Sequence, residues 1–328
     1  MRIGIIGTGR IAGRFLTELE YVEGAKAIAV YNPHEGSATR FVGKLQDSVV
    51  ETMHNAVRGL SLTQLPQACA DIDELWDKVD AVYIASPHET HIAYTIEALE
   101  HGKHVLCEKP FALNEADAKK AFKLAEKKKL VVMEGLKTAY MPGFRQMLAV
   151  AKSGIIGDIV QVNSAFTKLV PEDSRELNGS AAGSFMELGT YGMLATFSLL
   201  GTDYKAVHFD SMKNKKGVDL YTVAHFDYGN AFATATAGLG VKSEGSLVIS
   251  GTKGYITVPA PWWFTKHFEV HFEDASNIIS YDDEMKGDGL RYEIKEFVER
   301  AEGKITPETD LEPISLAMAA TMAKFKKS

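Results

Sequence analysis

A glycine-containing turn near the start of the chain constrains the fold more than any other feature of the sequence. Residues 4–16 read GIIGTGRIAGRFL, in which Gly7, Gly9 and Ala12 form a G-x-G-x-x-A pattern after an apolar run and at the start of a helical pattern. In such a turn the first glycine permits a sharp bend, the second lets the backbone approach a pyrophosphate, and the third small residue allows close helix–strand packing. The pyrophosphate sits on the free N–H groups of the helix N-terminus. Between a strand and a helix, the pattern favours a dinucleotide site over a plain tight turn.

Short apolar runs alternate with helical patterns along the first 135 residues. Such alternation predicts a parallel, doubly wound sheet. The runs that we interpret as strands are RIGII at 2–6, AKAIAVY at 25–31, AVYIAS at 81–86, KHVLCE at 103–108 and LVVME at 130–134. Helical patterns cover 11–21, about 90–100 and the stretch after Asn114, which is a typical N-cap residue. The stretch from Ser37 to about Leu65 is longer than a minimal connection, and its helical period predicts an extra helix.

The sequence pattern changes after residue 150. Runs such as DIVQVNSAFTKLV and DLYTVAHFDYGNAFATATAGL alternate polar and apolar residues with period two, which predicts an antiparallel sheet with one polar face. Helical patterns return at 289–303 and 313–325. The sequence therefore predicts an α/β Rossmann domain over residues 1–122 and an α+β domain over 123–328, the second built on a large, mainly antiparallel, open-faced sheet.

Composition and charge argue against several classes of function. The 328 residues carry a formal net charge of −7, so no basic footprint for a nucleic acid is visible. No apolar run approaches the roughly 18 residues that a membrane span needs. The chain enters a strand directly after MR, which leaves no room for a signal peptide, and Cys69 and Cys107 form neither a CxxC pair nor a disulfide framework. We therefore expect a cytoplasmic protein with no nucleic-acid or membrane partner and no structural metal site.

The end of the second strand bears on the choice of cofactor. It reads AVYNPHEG, with Asn32 where the motif usually has an acidic residue that binds the adenosine ribose hydroxyls. Without that carboxylate a 2′-phosphate meets less repulsion, and Arg10, His34 and Arg40 are candidate cationic partners for it. The sequence therefore favours NADP over NAD.

The motif SPHETH places His88 and His91 three residues apart, just after the fourth strand. A metal site is conceivable, but no acidic residue or cysteine stands nearby at ligand spacing. Cofactor contact fits better, because the cofactor of a Rossmann fold lies at the carboxyl ends of the strands. A structural role, with His91 capping the helix, is an equally open alternative.

A second candidate motif, CEKPFALN, follows the fifth strand. It places Glu108 and Lys109 at the carboxyl edge of the sheet, where ligands bind in open α/β folds, and Pro110 restricts the local backbone. A lysine before a proline on a surface loop is ordinarily solvated. Taken alone, the motif therefore does not favour a catalytic role.

These motifs occur together in one known family. The pieces GTGRIA, YIASPHETH, VLCEKP, VVMEG, GIIGDIVQV, GSFMELGTYG, SGTKGYITVPAPWW and GLRYEIKEF follow one another over nearly the whole chain. As a set they resemble the glucose-fructose oxidoreductase / inositol dehydrogenase / MocA (Gfo/Idh/MocA) family. The resemblance is greatest to the branch of dimeric dihydrodiol dehydrogenases and related sugar dehydrogenases, which ends the catalytic motif in Tyr rather than His. It implies a nicotinamide-dependent oxidoreductase that acts on a polyol, sugar or diol hydroxyl.

The resemblance also implies roles for individual residues. Lys109 matches the lysine of the EKP motif, Tyr191 matches the proton-transferring tyrosine, and Glu187 stands where the family usually has Asp. Glu187 and Tyr191 are four residues apart, so they share one face if the segment is helical. A phenol with a reference pKa of about 10 needs a nearby cation to exchange protons near neutral pH, and Lys109 is the candidate. The same lysine is expected to hydrogen-bond the carbonyl oxygen as hydride arrives.

Two further sets of residues follow from the resemblance. Trp263 aligns with an aromatic residue that lines the substrate site of the dihydrodiol enzymes, although packing on the core or at a subunit contact is an equally open alternative. With Lys109 and Tyr191 it makes up the expected substrate contacts. The expected cofactor contacts are Gly7, Thr8, Gly9, Arg10, Ile11, Asn32, Ser86, Pro87, His91, Glu108 and Lys109.

The chain departs from the family pattern in its pocket. The family stretch MEAxWTRF reads MEGLKTAY here, with Lys137 in place of Trp and Ala139 in place of Arg. In the similar branch that Trp and Arg lie beside the cofactor and substrate, so a different pocket is expected. Glu187 in place of Asp lengthens the carboxylate arm by one methylene group.

The function that the sequence favours is that of an NAD(P)-dependent dehydrogenase or reductase for a small hydroxylated substrate. The alternatives are a non-catalytic NAD(P)-binding regulator and an NAD-dependent glycosidase of the same superfamily. Retention of Lys109 together with Tyr191 argues against the regulator. Because helices are expected on only one side of the second sheet, we also expect a homodimer or homotetramer that pairs through the uncovered side.

Overall fold

The structure is a computed structural model and describes residues 1–55, 65–307 and 310–328. Two compact units make it up. The first consists of Met1–Ala112, Ala116–Lys137 and Gly287–Glu312, and the second of Leu113–Glu115, Thr138–Lys286 and Pro313–Ser328. The division into one domain over residues 1–122 and another over 123–328 stays a prediction.

The first unit contains a parallel sheet in which the described strands follow the order β3-β2-β1-β4-β5-β6. Its strands are β1 (Arg2–Ile6), β2 (Lys26–Tyr31), β3 (Gln67–Cys69), β4 (Ala81–Ile84), β5 (His104–Glu108) and β6 (Val132–Gly135). All four residues of β4 are buried, as expected for a parallel strand covered on both faces. The order is that of the doubly wound dinucleotide-binding fold, so the predicted Rossmann architecture is confirmed.

The helices that the structure describes have the following bounds. They are α1 (Arg10–Leu19), α2 (Ser37–Asn55), α3 (Ile72–Trp76), α4 (His91–Glu100), α5 (Glu115–Lys128), α6 (Lys137–Tyr140), α7 (Pro142–Lys152), α8 (Ser184–Leu200), α9 (Leu290–Ala301) and α10 (Glu312–Phe325). The extra helix expected after Ser37 is confirmed as α2, and residues 56–64 of that prediction lie outside the described residues. In the described part of the chain no helix is long and apolar enough to cross a membrane.

The second unit is built on a sheet of order β14-β13-β12-β11-β7-β10-β9-β8. Its strands are β7 (Ile159–Thr167), β8 (Ala206–Lys213), β9 (Asp219–Asp227), β10 (Phe232–Gly238), β11 (Leu247–Gly251), β12 (Gly254–Val258), β13 (His267–Phe272) and β14 (Ile278–Asp282). Every described pairing is antiparallel except that of β7 with β10, so the sheet is mainly antiparallel as predicted.

The two faces of this second sheet differ in character. Helix α8 packs on β7, β9 and β10, and the residues of β10 that face it, such as Ala233 and Ala235, are buried. On the opposite face, Phe232 is 58% exposed and Tyr255 is 42% exposed. Strand register places these two rings in one row across the sheet, through Gln161 and Ser250. We call this side the open face.

Candidate active site

The glycine turn after β1 has the geometry of a phosphate cradle. Gly7 has a φ of +113°, and a Cβ at this position would lie 2.4 Å from the carbonyl oxygen of Ala85, so only glycine fits. Gly9 precedes α1 with an extended backbone, and a Cβ there would meet no described atom within 4 Å. Among the described residues no side chain caps α1, and its first turn carries no acidic residue. These features fit a dinucleotide pyrophosphate, which needs open space and free N–H groups at a helix N-terminus.

Asn32 lies at the end of β2 and points to this turn. Its Nδ2 donates a hydrogen bond to Thr8 Oγ1 at 2.9 Å, and its Oδ1 accepts one from the backbone of His34 at 2.9 Å. Arg40 donates to Ser37 Oγ at 2.8 Å from the start of α2. His34 and Arg40 are both exposed on the short stretch that follows Asn32.

His91 holds together the loops that follow β4 and β5. Its ring is fully buried, with Nδ1 2.8 Å from the carbonyl oxygen of Pro110 and Nε2 2.9 Å from that of Ser86. Burial lowers the pKa of His91, against the opposing effect of these two carbonyl groups. His88 packs against it edge-on at 5.6 Å between ring centroids. Among the described residues no group of three or more His, Cys, Asp or Glu side chains is arranged to hold a metal ion.

Glu108 lies buried at the end of β5, directly before Lys109. Tyr83 of β4 donates its hydroxyl to Glu108 Oε1 at 2.6 Å, and the backbone N–H of Lys109 donates to Glu108 Oε2 at 3.3 Å. The Tyr83 ring is itself buried and stacks on Phe15 of α1 at 3.8 Å. Burial and the Glu108 charge raise the pKa of Tyr83 well above its usual value, so the phenol stays a donor. These two hydrogen bonds fix the Glu108 side chain next to the backbone of Lys109.

A third buried side chain supports the same loop. Glu134, on β6, accepts a hydrogen bond at Oε1 from the backbone N–H of Phe111 at 2.8 Å. Residues 109–111, which we call the lysine loop, are therefore held at three consecutive positions. The groups that hold it are the carboxylates of Glu108 and Glu134 and the ring of His91. A backbone fixed in this way gives the Lys109 side chain a defined origin.

The two positions at which the chain departs from the family pattern, Lys137 and Ala139, lie on α6, just after β6. Lys137 is buried, and its Nζ donates to the backbone carbonyl of Asp288 at 2.9 Å. Burial lowers the pKa of Lys137, and the neighbouring acidic side chains of Asp288, Glu293 and Glu108 act in the opposite direction. Ala139 is also buried. The side chains at these two positions are therefore part of the protein interior.

In the second unit, α8 carries the candidate tyrosine and its acidic neighbour. Glu187 is buried, and its Oε1 lies 3.1 Å from Arg175 Nη2. Tyr191, one turn later and half-buried, meets the ring of Phe166 edge-on at 4.8 Å. Trp263 stacks flat on the same Phe166 ring at 3.5 Å. The segment is helical as expected, and Tyr191 and Trp263 both contact Phe166 within one unit.

Two features fix α8 in place. The Asp219 carboxylate of β9 accepts a hydrogen bond from the Phe185 backbone N–H at 2.9 Å and so caps the helix from a neighbouring strand. Farther along, a Cβ on Gly192 would lie 2.6 Å from the Cβ of Ala235 and 2.9 Å from Ser164 Oγ. Gly192 therefore lets the helix approach the sheet closely, and Tyr191 lies next to this point of contact.

Sequence reasoning finds the motif residues but misses the side chains that support them. In the first unit, Tyr83 and Glu134 lie within the pieces YIASPHETH and VVMEG, but the motifs give neither residue a role. In the second unit, Phe166 and Asp219 lie in none of the motif pieces. One signal was available, because a tyrosine in a fully buried strand needs a hydrogen-bond partner for its hydroxyl. The partner itself lies on another strand, and a single sequence does not reveal that pairing.

Comparison with known proteins agrees with this description. The model of the Gfo/Idh/MocA oxidoreductase family with an NAD-binding Rossmann fold matches residues 1–136, and the model of the Gfo/Idh/MocA C-terminal domain matches residues 144–257. Together they cover most of the chain.

Named relatives match over most of their length. The scyllo-inositol 2-dehydrogenase (NADP(+)) IolU of Bacillus subtilis is 28% identical, with 100% of this chain and 96% of that protein covered. The D-xylose 1-dehydrogenase (NADP(+)) of Hypocrea jecorina is 28% identical, with 82% of this chain and 75% of that protein covered. The human trans-1,2-dihydrobenzene-1,2-diol dehydrogenase is 26% identical, with 70% and 72% covered.

A solved structure shows the same fold. The 3-ketoreductase KijD10 of Actinomadura kijaniata, in complex with NADP and TDP-benzene, superposes with a TM-score of 0.80 at 22% identity, covering 98% of this chain and 95% of that one. The region matched by the first family model includes the glycine turn of the first unit, and the region matched by the second includes most of the sheet of the second unit. This chain is an NAD(P)-binding oxidoreductase and belongs to the Gfo/Idh/MocA family.

Proposed function

We propose that this oxidoreductase uses NADP and acts on a carbon that bears a hydroxyl or carbonyl group in a small sugar, polyol or diol. The observation that carries the proposal is the lysine loop, where buried Glu108, His91 and Glu134 hold three consecutive residues. An ordinary solvated lysine needs no such support, whereas a catalytic side chain must keep its geometry. The three inositol, xylose and dihydrodiol dehydrogenases support this substrate class.

The residues proposed to hold the cofactor lie at the carboxyl ends of β1, β2, β4 and β5. They are Gly7, Thr8, Gly9, Arg10, Ile11, Asn32, Ser86, Pro87, His91, Glu108 and Lys109. The nicotinamide supplies or accepts the hydride when the cofactor is bound. The glycine turn binds the pyrophosphate, and His91 acts by fixing the loops on either side of it through Ser86 and Pro110.

Three residues are proposed to carry the proton chemistry. Tyr191 transfers the substrate hydroxyl proton, and Lys109 supplies the positive charge that allows a phenol to do so near neutral pH. Lys109 also donates to the substrate oxygen as charge develops there. Glu187, fixed by Arg175 one turn before the tyrosine, orients this arrangement.

Asn32 supports the preference for NADP. A side-chain amide fixed between Thr8 and the His34 backbone carries no negative charge to repel a 2′-phosphate. His34 and Arg40 lie within the next eight residues and offer cationic partners. The inositol and xylose dehydrogenases similar to this chain are both NADP-linked by name.

The aromatic residues around Tyr191 support a ring-shaped substrate. Trp263 and Phe166 stack face to face, and Tyr191 adjoins the same group. Flat aromatic faces pack well against the apolar face of a cyclic sugar or polyol. The Tyr191 phenol would then hydrogen-bond to a hydroxyl group at the edge of the substrate ring. Lys109, Tyr191 and Trp263 are thus the proposed substrate contacts.

Assembly is proposed to use the open face. Phe232, Tyr255 and Ile278 are exposed and lie in one row across the sheet, on β10, β12 and β14, with polar residues of the intervening strands between them. Helix α8 packs on the other face. Exposed large apolar side chains on an uncovered sheet face are typical of interaction sites, and a second copy of the chain provides a matching face by symmetry. We propose a homodimer or homotetramer, and a reducing cytoplasmic location that suits the free, buried Cys69 and Cys107.

The dehydrogenase or reductase activity is favoured over the two alternatives, a regulator and a glycosidase. The test is a panel of polyols, aldoses and diols offered with NADP+ and NAD+, followed by the absorbance of the reduced nicotinamide. We expect stoichiometric reduction of NADP+ with at least one member. Cofactor binding without turnover would indicate the regulator, and cleavage of a glycoside without net reduction would indicate the glycosidase.

A further inference from the structure

Two ion pairs lie next to the aromatic group around Tyr191 in the second unit. Arg175 Nη2 lies 3.1 Å from Glu187 Oε1, and Lys168 Nζ lies 3.2 Å from Glu176 Oε1. Arg175 and Glu176 are consecutive residues of one short 3₁₀ turn, so the two pairs adjoin each other. None of these four side chains is among the proposed substrate contacts.

The ion pairs and the aromatic group form a closed ring of contacts. Phe166 on β7 meets the Tyr191 ring at 4.8 Å between centroids. Lys168 follows Phe166 by two residues, and its N–H donates to the Gly238 carbonyl at 2.9 Å, as in a continued strand. Alternate residues of a strand project to one side, so Lys168 lies on the same side of the sheet as Phe166. On α8, Glu187 precedes Tyr191 by one turn and shares its face. The ion pairs therefore lie on the side of the sheet that carries Tyr191.

Arg175 is the member of the ring best placed to reach a bound molecule. Its side chain is 57% exposed, whereas that of its partner Glu187 is 8% exposed. Within the described part of the chain, the Arg175 guanidinium makes one hydrogen bond, from Nη2 to Glu187. A guanidinium presents several N–H donors in a fixed planar fork, so Nε and Nη1 can donate to a ligand while Nη2 stays on the carboxylate. The contact with a buried side chain defines where those donors lie.

The pairing of these side chains favours a neutral polyhydroxylated ligand over an anion. Arg175 and Lys168 each already have a carboxyl partner, so neither is left to bind an anion alone. Burial acts to raise the pKa of Glu176, but its own backbone N–H, Lys168 and Arg175 lower it overall, so Glu176 is an acceptor. Donors and acceptors thus stand side by side, and adjacent hydroxyl groups, which both donate and accept, match such an arrangement.

We propose that Arg175 is a specificity-determining residue that donates to hydroxyl groups beside the reacting carbon, so that the enzyme prefers polyhydroxylated rings to rings with a single pair of adjacent hydroxyl groups. The stacked rings of Phe166 and Trp263 pack on the apolar face of such a substrate. This inference rests on the proposed function and narrows its substrate class to cyclic sugars and polyols.

The test uses ligands that share a ring and differ in their hydroxyl groups. The polyhydroxylated rings are scyllo-inositol, myo-inositol, D-xylose and D-glucose, and the matched ring is trans-cyclohexane-1,2-diol. Arg175→Met removes the guanidinium, whereas Arg175→Lys keeps a positive charge for Glu187 but loses the planar fork. The control is Arg2→Met, because the Arg2 side chain is 56% exposed and is also paired with a carboxylate, that of Asp80, at 2.6 Å. Arg2 lies at the start of β1, away from the proposed cofactor turn.

Titration calorimetry on the NADPH complex measures the dissociation constant of each ligand, and steady-state kinetics measures kcat and KM for those that react. Wild type is expected to bind at least one polyhydroxylated ring about tenfold or more tightly than the diol. Both Arg175 variants should weaken binding of that ring by about 10- to 100-fold and change the dissociation constant of the diol by less than about threefold. Arg175→Lys should raise KM for the ring while leaving kcat near wild type. Arg2→Met should behave as wild type.

Three results would overturn the proposal. In the first, the diol binds to wild type at least as tightly as every polyhydroxylated ring, or none of these rings binds. In the second, both Arg175 variants bind the rings like wild type. In the third, both variants weaken the diol and the rings by the same factor, which is the pattern of a purely structural role. Calorimetry needs no turnover, so it decides the role of Arg175 even if the wild-type protein oxidises no substrate, in which case the proposed activity fails separately.

Discussion

At the scale of single residues, the proposed site rests on two local arrangements, one in each unit. Lys109 extends from a backbone held by the buried side chains of Glu108, His91 and Glu134. Tyr191 lies on a helix next to the stacked rings of Phe166 and Trp263. Each arrangement is fixed within its own unit, and the proposed reaction requires both.

Removing the Tyr191 hydroxyl tests the proton-transfer role. Tyr191→Phe keeps the ring on Phe166 but loses the exchangeable proton, so kcat should fall by roughly 10² to 10⁴, with the NADPH dissociation constant nearly unchanged. Lys109→Met should also lower kcat severely, and the double variant should be little worse than the worse single variant. Tyr255→Phe, on the open face, is the matched control. A Tyr191→Phe enzyme within a few-fold of wild type would make Tyr191 a packing residue.

Asn32 sets the expected cofactor preference. Asn32→Asp adds an acceptor for the ribose 2′-hydroxyl and a charge that repels a 2′-phosphate, so the ratio of the NADPH and NADH dissociation constants should shift towards NADH by about tenfold or more. Fluorescence titration with both cofactors measures the ratio. A wild-type preference for NADH of about tenfold, or roughly 1.4 kcal/mol, would contradict the account.

Glu293 predicts a pH dependence of stability with a definite sign. A glutamate in the unfolded chain titrates near a pKa of about 4.3, whereas burial raises the pKa of Glu293 in the folded protein. Above the unfolded value the folded state holds the extra proton, so this residue lowers the free energy of unfolding as pH rises. Glu293→Gln, which carries no titrating proton, should therefore become increasingly more stable than wild type as the pH rises from 5 to 8.

Denaturant unfolding at a series of pH values measures this difference. Glu244→Gln, which changes an exposed glutamate, is the control and should follow the wild-type curve. A Glu293→Gln variant that loses stability relative to wild type as pH rises would show that the carboxyl group is ionised and paired.

At the scale of elements, α8 is the part of the second unit that carries the proposed residues Glu187 and Tyr191. Its first turn is capped by Asp219 from β9, and Gly192 allows it to lie close to β7 and β10. The helix is apolar on nearly all sides and mostly buried, so a shift of its axis moves Tyr191 with it. Close packing makes such shifts costly.

Gly192→Ala is the corresponding element-scale variant. Its Cβ would lie below van der Waals contact with Ala235 and Ser164, so we expect a loss of about 1–3 kcal/mol and a lower kcat as α8 moves away from the sheet. The control is Gly13→Ala in α1, where no described atom lies within 4 Å of the new Cβ and alanine favours the helix. Equal melting temperatures for Gly192→Ala and wild type would contradict this view of the contact.

The sequence predicts the elements better than their pairing. The strands β1, β2, β4, β5 and β6 are recognisable as short, continuous apolar runs between helical patterns. This is because a parallel strand that is covered on both faces is apolar along its whole length. Strand β3 has three residues and β14 has an exposed pattern, so neither gives a clear periodic signal. The parallel pairing of β7 with β10 joins strands that are distant in sequence. The candidate site follows the same rule. The motifs identify Lys109 directly, whereas the hydrogen bond from the Phe111 backbone to Glu134 joins two segments that only the fold brings together.

At the scale of the whole molecule, the open face carries the proposed assembly. Light scattering at micromolar concentration should give a dimer or tetramer. Phe232→Glu replaces one of the exposed apolar side chains of this face with a charge and should weaken association by about a hundredfold, or roughly 2.7 kcal/mol. Leu169→Glu, an equally exposed apolar position outside the described strands, is the control. A wild-type monomer at that concentration would rule out the assembly.

The most direct test of the central claim is a single-turnover measurement of hydride transfer. Wild-type protein, saturated with NADP+ or NADPH, is mixed with each member of the substrate panel, and the nicotinamide absorbance is followed beside Lys109→Met and Tyr191→Phe. The account predicts a stoichiometric absorbance change in wild type with at least one sugar, polyol or diol, slowed at least a hundredfold in both variants. Equal rates in all three proteins, or bound cofactor that no substrate oxidises or reduces, would contradict it.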